Sequence, residues 1–325
     1  ALLLLIGITG CDSNKKQAST EYNNGVKHSA RLQWDAAIAS NTEAIRLNPD
    51  SAEAYYNRGV TYGKKGELER AIADYTEAIR LKPDHAGTYN NRGNAYAMKG
   101  EPDKAIADYT EAIRLNPDLA QAYNNRGTAY AEKKEYDKAI ADRTEAIRLK
   151  PDYAEAYNNR GNAYARKGEP DKAIADYTEA IRLKPDHAGT YYNRATIYLK
   201  KKESDKAIAD YTEAIRINPD YAKAYDGRGI AYGQKGEYDK SVADFTEAIR
   251  LAPEYAGAYG NRGYAYNKKK EYDKAIADYT ELIRLDADNG KAYLGRSRAY
   301  AANGDEAKAE ADFAKAKELG YEPEQ

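Results

Sequence analysis

Cysteine is nearly absent. Cys11 stands alone among 325 residues, which excludes an intrachain disulfide and any metal site built from several thiolates. Histidine is almost as scarce: His28, His85 and His187 lie far apart, the last two at the same turn of a repeating pattern, so no imidazole cluster is offered to a metal ion. Neither sign of charge is in excess, because 51 Lys and Arg face 52 Asp and Glu for a net charge of -1. A chain without a basic surplus has little with which to neutralise a phosphate backbone, so nucleic acid is not an expected partner. The lysine runs at 200–202 and 268–270 lie beside Glu and Asp and read as solvated turns. No glycine-rich phosphate loop stands between a strand and a helix, and the repeats leave no room for a catalytic domain. Catalysis, a cofactor, a metal and a small-molecule substrate are all unexpected. Apolar runs are confined to the first ten residues, too few to cross the roughly 30 Å of a bilayer core as a helix.

What is present is a period. Pro49, Pro83, Pro117, Pro151, Pro185, Pro219 and Pro253 fall 34 residues apart, each inside a variant of AIADYTEAIRLKPD. Such a period marks stacked helix-turn-helix units, each burying its apolar face only against its neighbours. Nine units follow, 18–51, 52–85, 86–119, 120–153, 154–187, 188–221, 222–255, 256–289 and 290–323. In the second, the spacing predicts one helix over 52–65, a turn at Gly66-Glu67, and another over 68–81, ended by Pro83. The expected fold is all-α.

Tyr55, Gly59, Tyr62, Ala71, Tyr75, Ala78 and Pro83 occupy repeat positions 4, 8, 11, 20, 24, 27 and 32. That pattern, repeated over essentially all of 18–323, resembles the tetratricopeptide repeat family. The resemblance implies a right-handed superhelical solenoid of nine repeats and a role in binding other proteins without catalysis. The glycines at position 8, among them Gly25, Gly59, Gly93, Gly127, Gly161, Gly229 and Gly263, each cost about 0.5 to 1 kcal/mol in a helix interior, so close helix packing is expected at each. Twenty-one of the 32 tyrosines fill the three aromatic positions and read as core. Where the family usually has Leu at position 7, this chain has Arg58, Arg92, Arg126, Arg160, Arg194, Arg228, Arg262 and Arg296, each with an Asp sixteen residues on; the first unit has neither, carrying Asn24 and Ser40. Joint presence and joint absence predict an Arg–carboxylate pair. Arg143 replaces the position-24 tyrosine of the fourth unit and reads either as a buried cation paired with a carboxylate or as a tolerated defect. In the last unit Glu310 and Lys317 replace isoleucines, as a capping repeat requires.

The opening ALLLLIGITGCDSNKKQAST resembles the end of a bacterial lipoprotein signal peptide, with Ile8-Thr9-Gly10-Cys11 as its lipobox. It lacks an initiator methionine and a basic region before the apolar run, so the sequence is expected to begin inside a longer leader. The resemblance implies removal of residues 1–10, lipidation of Cys11, a polar tether over 11–17 and the repeats over 18–323. At about 0.8 kcal/mol per buried methylene, two or three acyl chains anchor stably. The implied location is the extracytoplasmic face of a bacterial membrane, with Asp12 favouring the inner one.

In this family the first helix of each unit lines a concave groove. Position 6 there is Asn23, Asn57, Asn91, Asn125, Asn159, Asn193 and Asn261, interrupted by Gly227 and Gly295, with Asn90, Asn94, Asn124, Asn158, Asn162, Thr128 and Thr196 alongside. Asparagine offers a donor and an acceptor and can match the backbone of an extended peptide of any sequence. The row resembles the asparagine ladder of the repeat domain of protein O-GlcNAc transferases. It implies that Asn91, Asn125, Asn159 and Asn193 hold a partner's main chain, with Tyr56, Tyr192, Met98 and Leu199 touching its side chains; the alternative is that these asparagines only solvate a helix. The expected partners are extended segments of other proteins, engaged by an adaptor, an assembly factor of a secretion, pilus or envelope machine, or the targeting subunit of an enzyme such as a glycosyltransferase.

Overall fold

The computed structural model describes residues 2–321, with side chains from Asn14 onward. Cys11 and the lipobox therefore lie outside the described side chains. Among the described residues the structure is helical throughout, in two compact units, Ala1–Lys167 and Gly168–Gln325. The first unit runs α1 Leu2–Ala30, α2 Trp34–Leu47, α3 Ala52–Lys64, α4 Leu68–Leu81, α5 Ala86–Met98, α6 Pro102–Leu115, α7 Ala120–Glu132, α8 Tyr136–Leu149 and α9 Ala154–Lys167. The second runs α10 Pro170–Leu183, α11 Ala188–Lys200, α12 Ser204–Ile217, α13 Ala222–Gln234, α14 Tyr238–Leu251, α15 Ala256–Lys268, α16 Tyr272–Leu285, α17 Gly290–Ala302 and α18 Glu306–Glu318. The eighteen helices match the nine predicted pairs. The stretch expected as a tether belongs to α1, and Asn14 to Gln17 are helical with exposed side chains. Among the described residues no helix is long and apolar enough to cross a membrane.

Local chemistry sets the boundaries. Ser51 Oγ accepts from the Ala54 amide at 3.3 Å and Asn289 Oδ1 from the Ala292 amide at 3.1 Å, capping α3 and α17. Pro102 and Pro170 open α6 and α10, where a missing N–H costs nothing. Seven of the second helices, α2 to α14, end two residues before a Pro, with one extended residue between, as at Lys82 with φ −139°. The turn within a repeat needs one left-handed residue. Gly66, Gly100, Gly168, Gly236 and Gly304 supply it in five repeats, but Lys134, Lys202 and Lys270 adopt φ of 61–62° in three others. The lysine runs are thus the turns expected, built at some backbone cost.

Packing follows the small residues. Ala71, Ala105, Ala139, Ala173, Ala207 and Ala275 have no exposure, and Tyr109, Tyr177, Tyr211 and Phe245 are each about 2% exposed. A Cβ on Gly59, Gly93 or Gly229 would stand 2.9, 2.8 or 2.7 Å from the ring of Tyr75, Tyr109 or Phe245. The glycine admits the position-24 ring of its own repeat. In the first repeat Asn41 takes the ring's place, fully buried under Gly25, with Nδ2 donating to the Ala37 carbonyl at 2.9 Å. At the far end Glu310 and Lys317 are exposed, as expected of a cap.

Within each unit the stacking is one-sided. Odd-numbered helices touch the next odd-numbered helix, α3 with α5, α5 with α7 and α7 with α9, and likewise α11, α13, α15 and α17 in turn. Within either unit no two even-numbered helices meet. The row of first helices is therefore the tighter, inner side of each unit, and the second helices splay on the outer side.

Candidate partner-binding groove

The position-7 arginines brace the repeats. In seven repeats, Arg58, Arg92, Arg126, Arg194, Arg228, Arg262 and Arg296 donate from Nε and Nη2 to both oxygens of Asp74, Asp108, Asp142, Asp210, Asp244, Asp278 and Asp312 at 2.7–2.9 Å. The remaining Nη1 donates to a threonine on the second helix of the preceding repeat, as from Arg126 to Thr110 Oγ1 at 3.0 Å. Each guanidinium also lies over its own repeat's first tyrosine, Arg126 at 5.7 Å from the Tyr123 centroid. One side chain so ties two helices of its own repeat to the one before. The threonine contact was not anticipated; a Thr directly follows position 24 in every repeat from the first to the eighth, and that column was its only signal.

The asparagine row is a ladder between repeats. Nδ2 of four position-6 asparagines reaches back to position 5 of the preceding repeat: Asn91 donates to Tyr56 Oη at 3.0 Å, Asn125 to Asn90 Oδ1 at 3.1 Å, Asn159 to Asn124 Oδ1 at 3.4 Å and Asn261 to Asp226 Oδ1 at 2.9 Å. Asn125 also donates to Asn94 Oδ1 at 2.9 Å, which accepts from Tyr109 Oη at 2.8 Å. Asn91, Asn125 and Asn159, expected to face a partner's backbone, are thus engaged with the preceding repeat, and like Asn193 they are half-buried. Asn57, Asn162 and Asn193 are half-buried on α3, α9 and α11, and Asn57 shares a recess with Tyr56. Tyr56 meets the His85 ring edge-on at 5.2 Å, and Tyr192 packs on Tyr211 and Tyr221 at 5.8 and 5.0 Å.

Between successive first helices the inner face is notched, and the notches repeat. One of about 200 Å³ has Asn91, Asn94 and exposed Met98 on α5 as a wall and Tyr75 as its floor. Another, of about 270 Å³, has Asn261 and exposed Tyr264 on α15 as a wall and Phe245 as its floor. A third, of about 590 Å³, has Asn159 and Asn162 on α9, but its floor is Arg143. In all three the floor is position 24, and the recess over the defect in the tyrosine column is the largest of the three.

Asp226 is a site residue that sequence reasoning passed over, although it stands in the column of Asn90 and Asn124. It is buried, accepting from Asn261 Nδ2 and from Tyr255 Oη, each at 2.9 Å. Burial raises its pKa, opposed by those two bonds. A raised native pKa makes stability fall as pH climbs from the unfolded value through the native one. Asp226→Asn, which keeps the bond from Asn261, is expected to raise the melting temperature at pH 7. The advantage should shrink below the aspartate's native pKa; melting curves across pH check this.

The repeats match known family models. A model described as tetratricopeptide repeat matches 52–85, 86–119, 154–187 and 188–221; others so described match 227–290, 271–322 and 108–141, and one described as TPR repeat matches 33–66 and 127–168. None of the curated proteins compared with the chain matches it. Among solved structures, YrrB, a TPR protein with an unusual peptide-binding site, is similar at 24% identity and a TM-score of 0.51, over 57% of this chain and 95% of that one. Pseudomonas aeruginosa pilF is similar at 20% identity and a TM-score of 0.58, over 64% and 94%. In the APC/C hetero-tetramer Cut9-Hcn1 a chain is similar at 15% identity and a TM-score of 0.55, over 93% and 73%. At these identities the likeness is one of fold.

Proposed function

Since the chain belongs to the tetratricopeptide repeat family, we propose that it is a non-catalytic adaptor that captures extended segments of partner proteins on its inner face. The observation that carries this reading is the set of like notches between first helices, each pairing a position-6 asparagine with a floor at position 24. Neighbouring repeats stack about 10 Å apart, and a polyproline-II-like segment advances about 3.1 Å per residue with three residues per turn, so a partner bound in that conformation presents every third side chain to a notch. The ladder keeps the notches in register. Partner capture is expected to be lost when Asn91, Asn125 and Asn159 are all replaced by alanine. The inter-repeat bonds go with them, so circular dichroism and melting must show that the variant still folds. Wild-type capture by a folded triple variant would contradict the reading.

The lipobox supports a second part of the proposal, that the mature chain begins at lipidated Cys11 and works at the extracytoplasmic face of a bacterial membrane, the inner one on the strength of Asp12. Fractionation tests it: Cys11→Ala should move to the soluble fraction, and retention with membranes would contradict the anchor.

A further inference from the structure

Arg143 is 3% exposed, and its Nε and Nη1 are buried without a hydrogen-bond partner. Its Nη2 reaches only Thr128 Oγ1, at a long 3.4 Å. Burial pushes the guanidinium down to about 10, against the pull of Asp142 and Glu155. Neither carboxylate bonds to it. Asp142 is held by both prongs of Arg126, and exposed Glu155 accepts from Asn124 Nδ2 at 3.2 Å. A buried cation without a counter-charge is destabilising, and a ligand that supplies one recovers that energy on binding.

We infer that the Arg143 recess is a carboxylate-reading subsite, taking an acidic group of a bound peptide where the other notches take uncharged side chains. This rests on the groove reading and deepens it. The recess is roomy enough, at about 590 Å³, for a glutamate side chain or a chain terminus. Thr128, Asn159 and Asn162 line it with hydrogen-bonding groups, and Arg166 and Lys134 add positive charge. Glu132 and Glu155 also face it, which favours a singly charged carboxylate over a dianionic phosphate.

The test uses the full chain and fluorescent peptides of roughly twelve residues, long enough to span several notches, built from Ser, Thr and Val and blocked at both ends. One carries a central Glu, one Gln and one phosphoserine; a fourth is the Gln peptide with a free carboxyl terminus. The Glu peptide, the free-terminus peptide, or both should bind at least tenfold more tightly than blocked Gln, and which of them gains identifies the source of the carboxylate. Arg143→Tyr installs the residue that five other repeats carry there and should melt higher while erasing that advantage. Glu155→Gln should strengthen it. Equal binding of all four peptides would overturn the subsite and leave the groove standing, and tightest binding of phosphoserine would overturn it as well. An advantage that survives Arg143→Tyr would overturn Arg143 as the reader. No binding by any peptide would overturn both readings.

Discussion

Arg126→Ala is expected to lower local stability by about 3 kcal/mol, because it leaves the buried Asp142 carboxylate without its fork of two donors. Asp142→Ala should cost a similar amount by stranding the guanidinium, while removing both partners should cost far less than the two losses added. Replacing the pair by two leucines should approach or exceed the wild type, since a well-packed apolar pair escapes the desolvation penalty. The effect should extend to the preceding repeat, because Arg126 Nη1 also holds Thr110. A long repeat array need not unfold in one step, so hydrogen exchange resolved over α6, α7 and α8 is the suitable measurement. Additive single-variant effects would mean that the fork is not energetically coupled.

Two glycines one turn apart in α3 should respond to alanine with opposite sign. At Gly59 an added Cβ stands 2.9 Å from a Tyr75 ring carbon and 3.3 Å from the Ala71 carbonyl, and Tyr75 is 4% exposed. Gly59→Ala should therefore destabilise by about 1 to 3 kcal/mol through overpacking. At Gly63 the same Cβ meets nothing closer than the Tyr75 hydroxyl at 3.7 Å. Gly63→Ala should stabilise by about 0.8 kcal/mol, the ordinary helix preference for alanine. Urea melts of the two variants decide it. Equal signs would mean that the glycine column reflects something other than the ring.

The period, the helix pairs and the Arg–Asp fork were legible because each depends on spacing within one repeat. Arg126 and Asp142 come sixteen residues apart in a fixed frame, and their joint absence at Asn24 and Ser40 exposed the link. The ladder was half legible. Its residues stood out as a column, but that Asn125 donates to Asn90 and Asn94 depends on how consecutive first helices stack, and repeat spacing does not carry that geometry. Polar groups that look free on one helix were therefore assigned to a partner while they also bind the neighbouring repeat. Arg143 was visible as an exception, yet its meaning required the recess above it and the commitment of Asp142 elsewhere. The left-handed lysines are a milder case: a residue type tolerated at a turn cannot announce a φ that glycine would favour.

Partners are proposed to be held on the inner face of the first helices. A photoreactive amino acid placed at Thr128, exposed on α7, or at Met98, exposed on α5, tests it against one placed at Arg114 or Arg148, exposed on the second helices α6 and α8. Irradiation in cells should yield partner adducts from Thr128 and Met98 and none from Arg114 or Arg148; adducts only from the second-helix positions would contradict it.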